Sequence, residues 1–438
     1  MYCAYRCYDP FLLSPHSVPP ATVSRPHQPD ATRLDRRRRK SDKKQTTMSS
    51  SSSNPSLSDI FGQGHNAYFS NGPITRLSFI RLNNQLLDKA STHCSARYLT
   101  FEELNPLRDP QGKLAFVSYD DVAEAMGRPY ALDEKTQIAA FDPDEHHPNV
   151  IFLGMDLDPS DQAGAGGEQV QLGHYTGVPY FALDVTSEHY AGVKRQIQTQ
   201  TGGRRLKYTP TRIDLTLDHG QSAIYSQARA LLDWNTRNRY CPSCGGRTLS
   251  THGGAKVVCP PADRGVARPR ACPTRIGLHN QAFPRTDPTA VIAAVSADAK
   301  RVLLGRGRRW PAHYFSCLSG FVEPGESIET ATRREAYEET GVRVDRVQIH
   351  SSQPWPYPST MLIGVIAQCV EGGEAITYPD TELEEARWFE LAEVAHALDH
   401  GANPMWEPPV KGYTGPRVPP SQLMAHQVLR AVLRLFHR

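Results

Sequence analysis

The chain has 438 residues, of which 39% are hydrophobic and 22% charged, with a formal net charge of +3. At roughly 150 residues per domain this is two to three domains, and the balance excludes a protein that is basic or acidic throughout. No stretch approaches 18 consecutive apolar residues, which argues against a membrane span.

The nine cysteines are an odd number and include a C-x2-C pair, which in a reducing compartment reads as metal ligation better than as disulfides. The run Phe11-Leu12-Leu13 is too short for the apolar core of a secretory signal. Residues 1–58 read as a disordered leader. They hold a basic block from Arg36 to Lys40, then Lys43 and Lys44, then a serine run from Ser49 to Ser53. Such a composition buries too little apolar area to offset its ordering entropy. The basic block reads as a nuclear or nucleic-acid patch, as a solvated leader, or as an upstream extension with the start at Met48.

Residues 59–235 read as a folded α+β domain. Apolar runs at 74–87, 114–119, 149–153 and 176–184 are strand-like or packed, with a Gly-rich loop at 164–167. A helix is predicted over 221–235, with Ile224, Ala228, Leu231 and Leu232 on one face. His174, Asp184 and His219 are isolated, and such groups are usually surface or satisfied core residues.

Residues 236–283 form a small cysteine module. Cys241-Pro-Ser-Cys244-Gly-Gly presents two thiolates from one tight turn, and Cys259 and Cys272 are the candidate second half. Twelve residues separate that second pair, a spacing that loop-closure entropy tolerates. The expectation is one structural Zn²⁺ on four thiolates. The alternative is two unrelated pairs, one containing a buried thiol. Cys317 and Cys369 lie in apolar runs and read as core thiols.

Residues 284–438 alternate as an α/β unit. Strands are predicted at 290–296, 301–305, 361–370 and 386–390, and the segment 314–318 leads to Gly320. A helix is predicted over 328–340, with Ser327 as N-cap and Gly341 at C′. A closing helix spans 423–436. The helix over 328–340 carries Glu335, Glu338 and Glu339 at three- and four-residue spacing, so the three carboxylates share a face and repel. The cations Arg333 and Arg334 lie on their N-terminal side. A divalent ion relieves the repulsion, and hard oxygen ligands select Mg²⁺ or Mn²⁺. Ions held this way neutralise phosphate oxygens and activate water.

Gly320, Glu326, Arg334, Glu335, Ala336, Glu338, Glu339, Gly341 and Val342 match the pattern Gly-x5-Glu-x7-Arg-Glu-U-x-Glu-Glu-x-Gly-U, with U aliphatic, at every fixed position. The segment resembles the Nudix box. The array Ser352-Gln353-Pro354-Trp355-Pro356-Tyr357-Pro358-Ser359 is similar to the one that marks the NADH pyrophosphatase branch of that family, with Tyr357 where Phe is usual. Phe283-Pro284-Arg285 resembles the same branch, with Phe where Tyr is common.

The resemblance implies a Nudix α/β/α sandwich behind a zinc ribbon and the α+β domain. It implies Glu335, Glu338, Glu339 and Glu382 as metal ligands, Glu326 as a loop stabiliser or outer ligand, and Arg334 as the partner that orients a box glutamate. Glu382 reads otherwise as one of a surface cluster of glutamates. Gln353 and Trp355 would help form the dinucleotide pocket, and Ala425 falls at a pocket position near the phosphates. Phe321 and Trp355 are stacking candidates, although Phe321 reads equally as core.

The implied activity is metal-dependent hydrolysis of NADH or NAD⁺ to NMNH or NMN and AMP, or removal of the same dinucleotide from NAD-capped RNA. Glu338 or Glu339 is nearest to the role of base. The resemblance also implies a homodimer, for which exposed-looking Trp355 and Tyr357 are the only sequence support. The end Leu435-Phe436-His437-Arg438 does not match a Ser-Lys-Leu address, so the cytoplasm is expected, with the peroxisome as the alternative.

Overall fold

The computed structural model describes residues 66–158, 168–200, 205–210, 213–261, 272–275, 281–379 and 381–437. The expected leader, the Gly-rich loop at 164–167 and most of the insertion between Cys259 and Cys272 lie outside the described residues.

The first sheet runs in the order Ile74–Thr75, Val150–Asp156, Tyr175–Asp184, Arg97–Glu102, Asn105–Arg108, Lys207–Tyr208, with Val170–Leu172 as a short hairpin arm on Tyr175–Asp184. Its central pair, Arg97–Glu102 and Tyr175–Asp184, is parallel. Alternation along the strands feeds two cores. Ile151 and Leu153 face the helix His219–Arg237, while Val150 and Phe152 face the opposite layer. A bulge between Phe152 and Gly154 shifts the phase, which returns Met155 to the side of Phe152. Asp218 caps the helix by accepting the Gln221 N–H, and Ile224, Tyr225, Ala228 and Leu232 form its buried face.

The second sheet runs Val344–Trp355, Thr360–Cys369, Asp287–Val295, Arg301–Gly307, Leu383–Glu390, with Leu318–Phe321 also paired to Asp287–Val295. Ala290, Ile292 and Ala294 turn toward the helix Ile328–Thr340. Val291, Ala293 and Val295 turn toward the helices Leu391–His400 and Met424–Phe436. This is the α/β/α sandwich that the sequence led us to expect.

The two sheets share a strand order. Val150–Asp156, Tyr175–Asp184, Arg97–Glu102, Asn105–Arg108 and Lys207–Tyr208 repeat the five-strand path of the second sheet, with the parallel pair in the same place. Between the second and third of these strands in chain order, the second domain inserts the helix Ile328–Thr340. The first domain has only Ala123–Met126 and Glu134–Ala140 there, with one glutamate each. The α+β reading of the first domain therefore understates it, because it repeats the catalytic topology without the carboxylates.

Three local features add to the sequence reading. Residues 114–119 make only isolated bridges, Val117 to Tyr98 and Leu114 to Arg108. Val344–Trp355 is a long strand that the sequence hid, because it is a half-exposed edge with two register shifts and no clean alternation. Leu391–His400 is an amphipathic helix whose buried Leu391, Val394, Ala397 and Leu398 keep helical spacing.

Candidate active site

The helix Ile328–Thr340 is bounded as its sequence dictates. Ser327 Oγ accepts the Thr330 N–H at 3.2 Å, and Gly341 takes the left-handed conformation at φ 75°. Ala331 and Ala336 pack inward, and Glu339 lies on the same buried side at 4% exposure. Glu335 occupies a niche beside Gly320. A Cβ on that glycine would stand 1.9 Å from the Glu335 carboxyl carbon.

Arg334 is the hub of the acidic face. Its Nε and Nη2 donate to the two oxygens of Glu326, each at 2.8 Å. Its Nη1 donates to Glu335 at 2.7 Å and to Glu338 at 2.9 Å, and its Nη2 also reaches the Phe321 carbonyl. Part of the repulsion seen in the sequence is thus balanced by Arg334 itself, while Arg333 turns away to the Asp345 carbonyl. Hydrogen bonds from Arg334 and from the Glu323 N–H hold the Glu326 carboxyl down to about 2. With both oxygens committed, Glu326 braces the loop. Glu335 is pushed the other way. Burial raises it, the Glu338 and Glu382 charges raise it further, and Arg334 opposes them.

Glu339 and Glu382 line one cavity of about 470 Å³, together with Ser319, Arg308, Arg309 and Trp310. A second, mainly apolar cavity of about 240 Å³ adjoins it, since Trp310, Cys317 and Ser319 border both. Tyr314, Trp355, Trp406 and Ala425 line the second cavity, and Ile213 from the first domain completes its wall. Glu335 feels the charges of Glu338 and Glu382, Glu339 and Glu382 line the same cavity, and Gly320 leaves a cradle for Glu335, a setting that fits hard divalent cations.

Among the expected binding residues, Trp355 and Ala425 line the apolar cavity. Phe321 is 59% exposed, so it is not core, and it borders neither cavity. Gln353 is only 1% exposed and also borders neither. Its Nε2 donates to the Gln422 carbonyl at 2.7 Å and to the Tyr68 carbonyl at 3.3 Å, so it ties layers together behind the pocket. Trp355 and Tyr357 pack against the first domain's core within one chain, which removes the sequence support for a dimer. Arg308, Arg309, Trp310 and Trp406 escaped the sequence reading. The interleaved run Gly307-Arg308-Arg309-Trp310 was the available signal. Cys317 is buried, and burial pushes its thiol up to about 12.

The cysteine module is built on the hairpin Leu249–Thr251 and Lys256–Val258. A turn at Gly245 lets Cys241 N–H reach the Gly246 carbonyl at 2.8 Å. The sulfurs of Cys241 and Cys272 stand 3.7 Å apart, those of Cys244 and Cys259 stand 3.4 Å apart, and all four lie within 4.8 Å of one another. Zinc–sulfur bonds of about 2.3 Å place tetrahedral sulfurs about 3.8 Å apart, so the four thiols fit one zinc ion. Burial alone would raise the Cys241 thiol, but hydrogen bonds from Thr274, the Ser243 and Cys244 backbone, and Cys272 bring it down to about 6.

Residues 286–407 match the NUDIX domain model, and residues 95–234 match that of the NADH pyrophosphatase-like rudimentary NUDIX domain. The chain is 32% identical over 379 residues to the NAD-capped RNA hydrolase NUDT12 of Macaca fascicularis, covering 84% of this chain and 73% of the relative. The chain belongs to the Nudix family. It is similar as well to a NAD-capped RNA hydrolase of Schizosaccharomyces pombe, 32% identical over 76% of this chain and 86% of that one. The Saccharomyces cerevisiae NAD-capped RNA hydrolase NPY1 is 32% identical over 76% of this chain and 87% of its own length. The rudimentary Nudix match explains the repeated strand order of the first domain. Among the described residues no helix is long and apolar enough to cross a membrane.

Proposed function

We propose that this Nudix enzyme hydrolyses the pyrophosphate of NADH and NAD⁺, giving AMP with NMNH or NMN, and acts on the same dinucleotide where it caps RNA. The observation that carries this reading is the contiguity of the two cavities. An aromatic slot sized for a flat ring opens, past Trp310 and Ser319, onto the cavity of Glu339 and Glu382. A nucleobase or nicotinamide ring stacked there sets its pyrophosphate beside the carboxylates.

Glu335, Glu338, Glu339 and Glu382 are the residues that would hold Mg²⁺ or Mn²⁺. Such an ion supplies charge neutralisation on phosphate oxygens and activation of water. Arg334 keeps Glu335 and Glu338 in register through its paired hydrogen bonds. Glu338 or Glu339 is the candidate base. Cys241, Cys244, Cys259 and Cys272 would hold a structural Zn²⁺.

RNA as substrate is favoured by Arg308 and Arg309, which are exposed on the wall of the carboxylate cavity, where cations suit a phosphodiester that continues past the cap. Replacing both with alanine is expected to slow NAD-capped RNA more than free NADH. Equal loss on the two substrates, or none, would count against RNA contact at this wall. The homodimer belongs to the same reading, and light scattering near 48.7 kDa would refute it.

A further inference from the structure

The array Ser352–Ser359 carries Tyr357 where the motif it resembles usually has phenylalanine, and the extra hydroxyl is fully employed. Tyr357 Oη accepts the Asp214 backbone N–H at 2.7 Å and lies 3.2 Å from Tyr225 Oη. Asp214 is itself buried and ion-paired with Arg108, so the hydroxyl meets an anchored peptide. Arg229 Nη1 donates to the Pro356 carbonyl at 2.5 Å, and its guanidinium lies 4.6 Å from the Tyr357 ring centre. Phe69 sets its ring edgewise to Trp355 at 5.8 Å and to Tyr357 at 6.1 Å.

Phe69, Asp214, Tyr225 and Arg229 all belong to the part of the chain that lacks the carboxylate cluster. What they grip is the turn that follows Trp355, and Trp355 itself is a wall of the apolar cavity. Ile213, the neighbour of the gripped Asp214, lines that cavity too. The Asp214–Tyr357 hydrogen bond therefore joins two walls of one cavity from behind. Pocket walls held within a few tenths of an ångström are what keep a stacked ring in place.

We infer that the rudimentary Nudix domain sets the shape of the ring-binding cavity, with Arg229 and the Tyr357 hydroxyl as positioning residues that hold Trp355 against Ile213. This rests on the reading that the apolar cavity takes a ring of the dinucleotide. Neither residue touches the carboxylates, so their effect falls on binding and leaves the chemical step in place.

The test compares Tyr357→Phe, Arg229→Ala and Arg229→Lys in the full-length enzyme. Tyr357→Phe restores the usual residue of the array and is the variant least prone to unfold. KM for NADH is expected to rise about 3- to 10-fold, the scale of one lost hydrogen bond, with kcat within about twofold of wild type. Arg229→Lys, which still donates to the Pro356 carbonyl, should recover part of the loss. Equilibrium binding of AMP and of nicotinamide mononucleotide to the metal-free protein should weaken in parallel in Tyr357→Phe and Arg229→Ala. Unchanged KM and unchanged binding in both would overturn the inference, as would a fall in kcat at constant KM. If the wild type binds AMP or the mononucleotide but turns over no dinucleotide, the proposed function fails while the binding series still decides the role of the clamp. If it binds neither, the cavity reading and the inference fall together.

Discussion

A methyl group on Gly320 would overlap the carboxylate of Glu335, its carbon 1.9 Å from the Glu335 carboxyl carbon. The first glycine of the box is therefore a steric requirement of the first glutamate. Glu335 sits against the strand Leu318–Phe321, and only a residue without a side chain leaves that space open. Gly320→Ala should displace Glu335, lowering kcat by about 10²-fold or more, the scale for a misplaced catalytic group, while circular dichroism stays native. Activity within a few-fold of wild type would show that the carboxylate does not need this niche.

Glu339 and Glu338 differ in setting, one buried at the cavity and the other more exposed and held by Arg334. Glutamine at either position keeps the size and removes the charge. We expect turnover to fall about 10²-fold or more in each variant, with metal titration showing weaker Mn²⁺ binding. Wild-type turnover in both would remove these glutamates from the metal site.

Four sulfurs within 4.8 Å of one another predict about one zinc per chain by elemental analysis. Cys241→Ser should lose the metal and melt at lower temperature. Unchanged zinc content in Cys259→Ser or Cys272→Ser would break the pairing of the two half-sites.

His426 predicts a pH dependence of stability. Burial lowers its pKa, and both ring nitrogens are used in the neutral form. Nδ1–H donates to the Pro419 carbonyl at 2.9 Å, and Nε2 accepts from Arg430 Nε at 3.4 Å. The unfolded imidazole titrates near 6.5, so between that value and the lower folded one the unfolded chain binds more protons. Stability from this group is complete above about pH 6.5 and is lost as pH falls through the folded pKa. Denaturation midpoints should drop across that window, and His426→Gln should flatten part of the slope. Burial shifts His146 the same way, so some slope should remain. An identical slope in the variant would contradict the assignment.

The helix Ile328–Thr340 was legible in the sequence because its cap at Ser327, its stop at Gly341 and its carboxylate spacing are all local signals. The cysteine cluster was legible from one C-x2-C turn plus two further thiols. The apolar cavity was not, because Ile213, Trp310, Trp355 and Trp406 converge only through tertiary packing. Gln353 misled for the same reason, since nothing local says that its amide faces Tyr68 and Gln422 and not the ligand. The relation between the two domains was hidden as well. A shared strand order leaves no local motif to read once the acidic helix is replaced by Ala123–Met126 and Glu134–Ala140.

The most direct measurement is product analysis after incubating the purified full-length protein with Mg²⁺ or Mn²⁺ and each of NADH, NAD⁺, ADP-ribose, diadenosine polyphosphates and 8-oxo-dGTP. We expect NADH and NAD⁺ to yield AMP with NMNH and NMN, the reduced dinucleotide being turned over faster, and Glu339→Gln to slow both about 10²-fold or more. Rapid turnover of another member of the panel, with no AMP or mononucleotide released from NADH or NAD⁺, would contradict the proposed function.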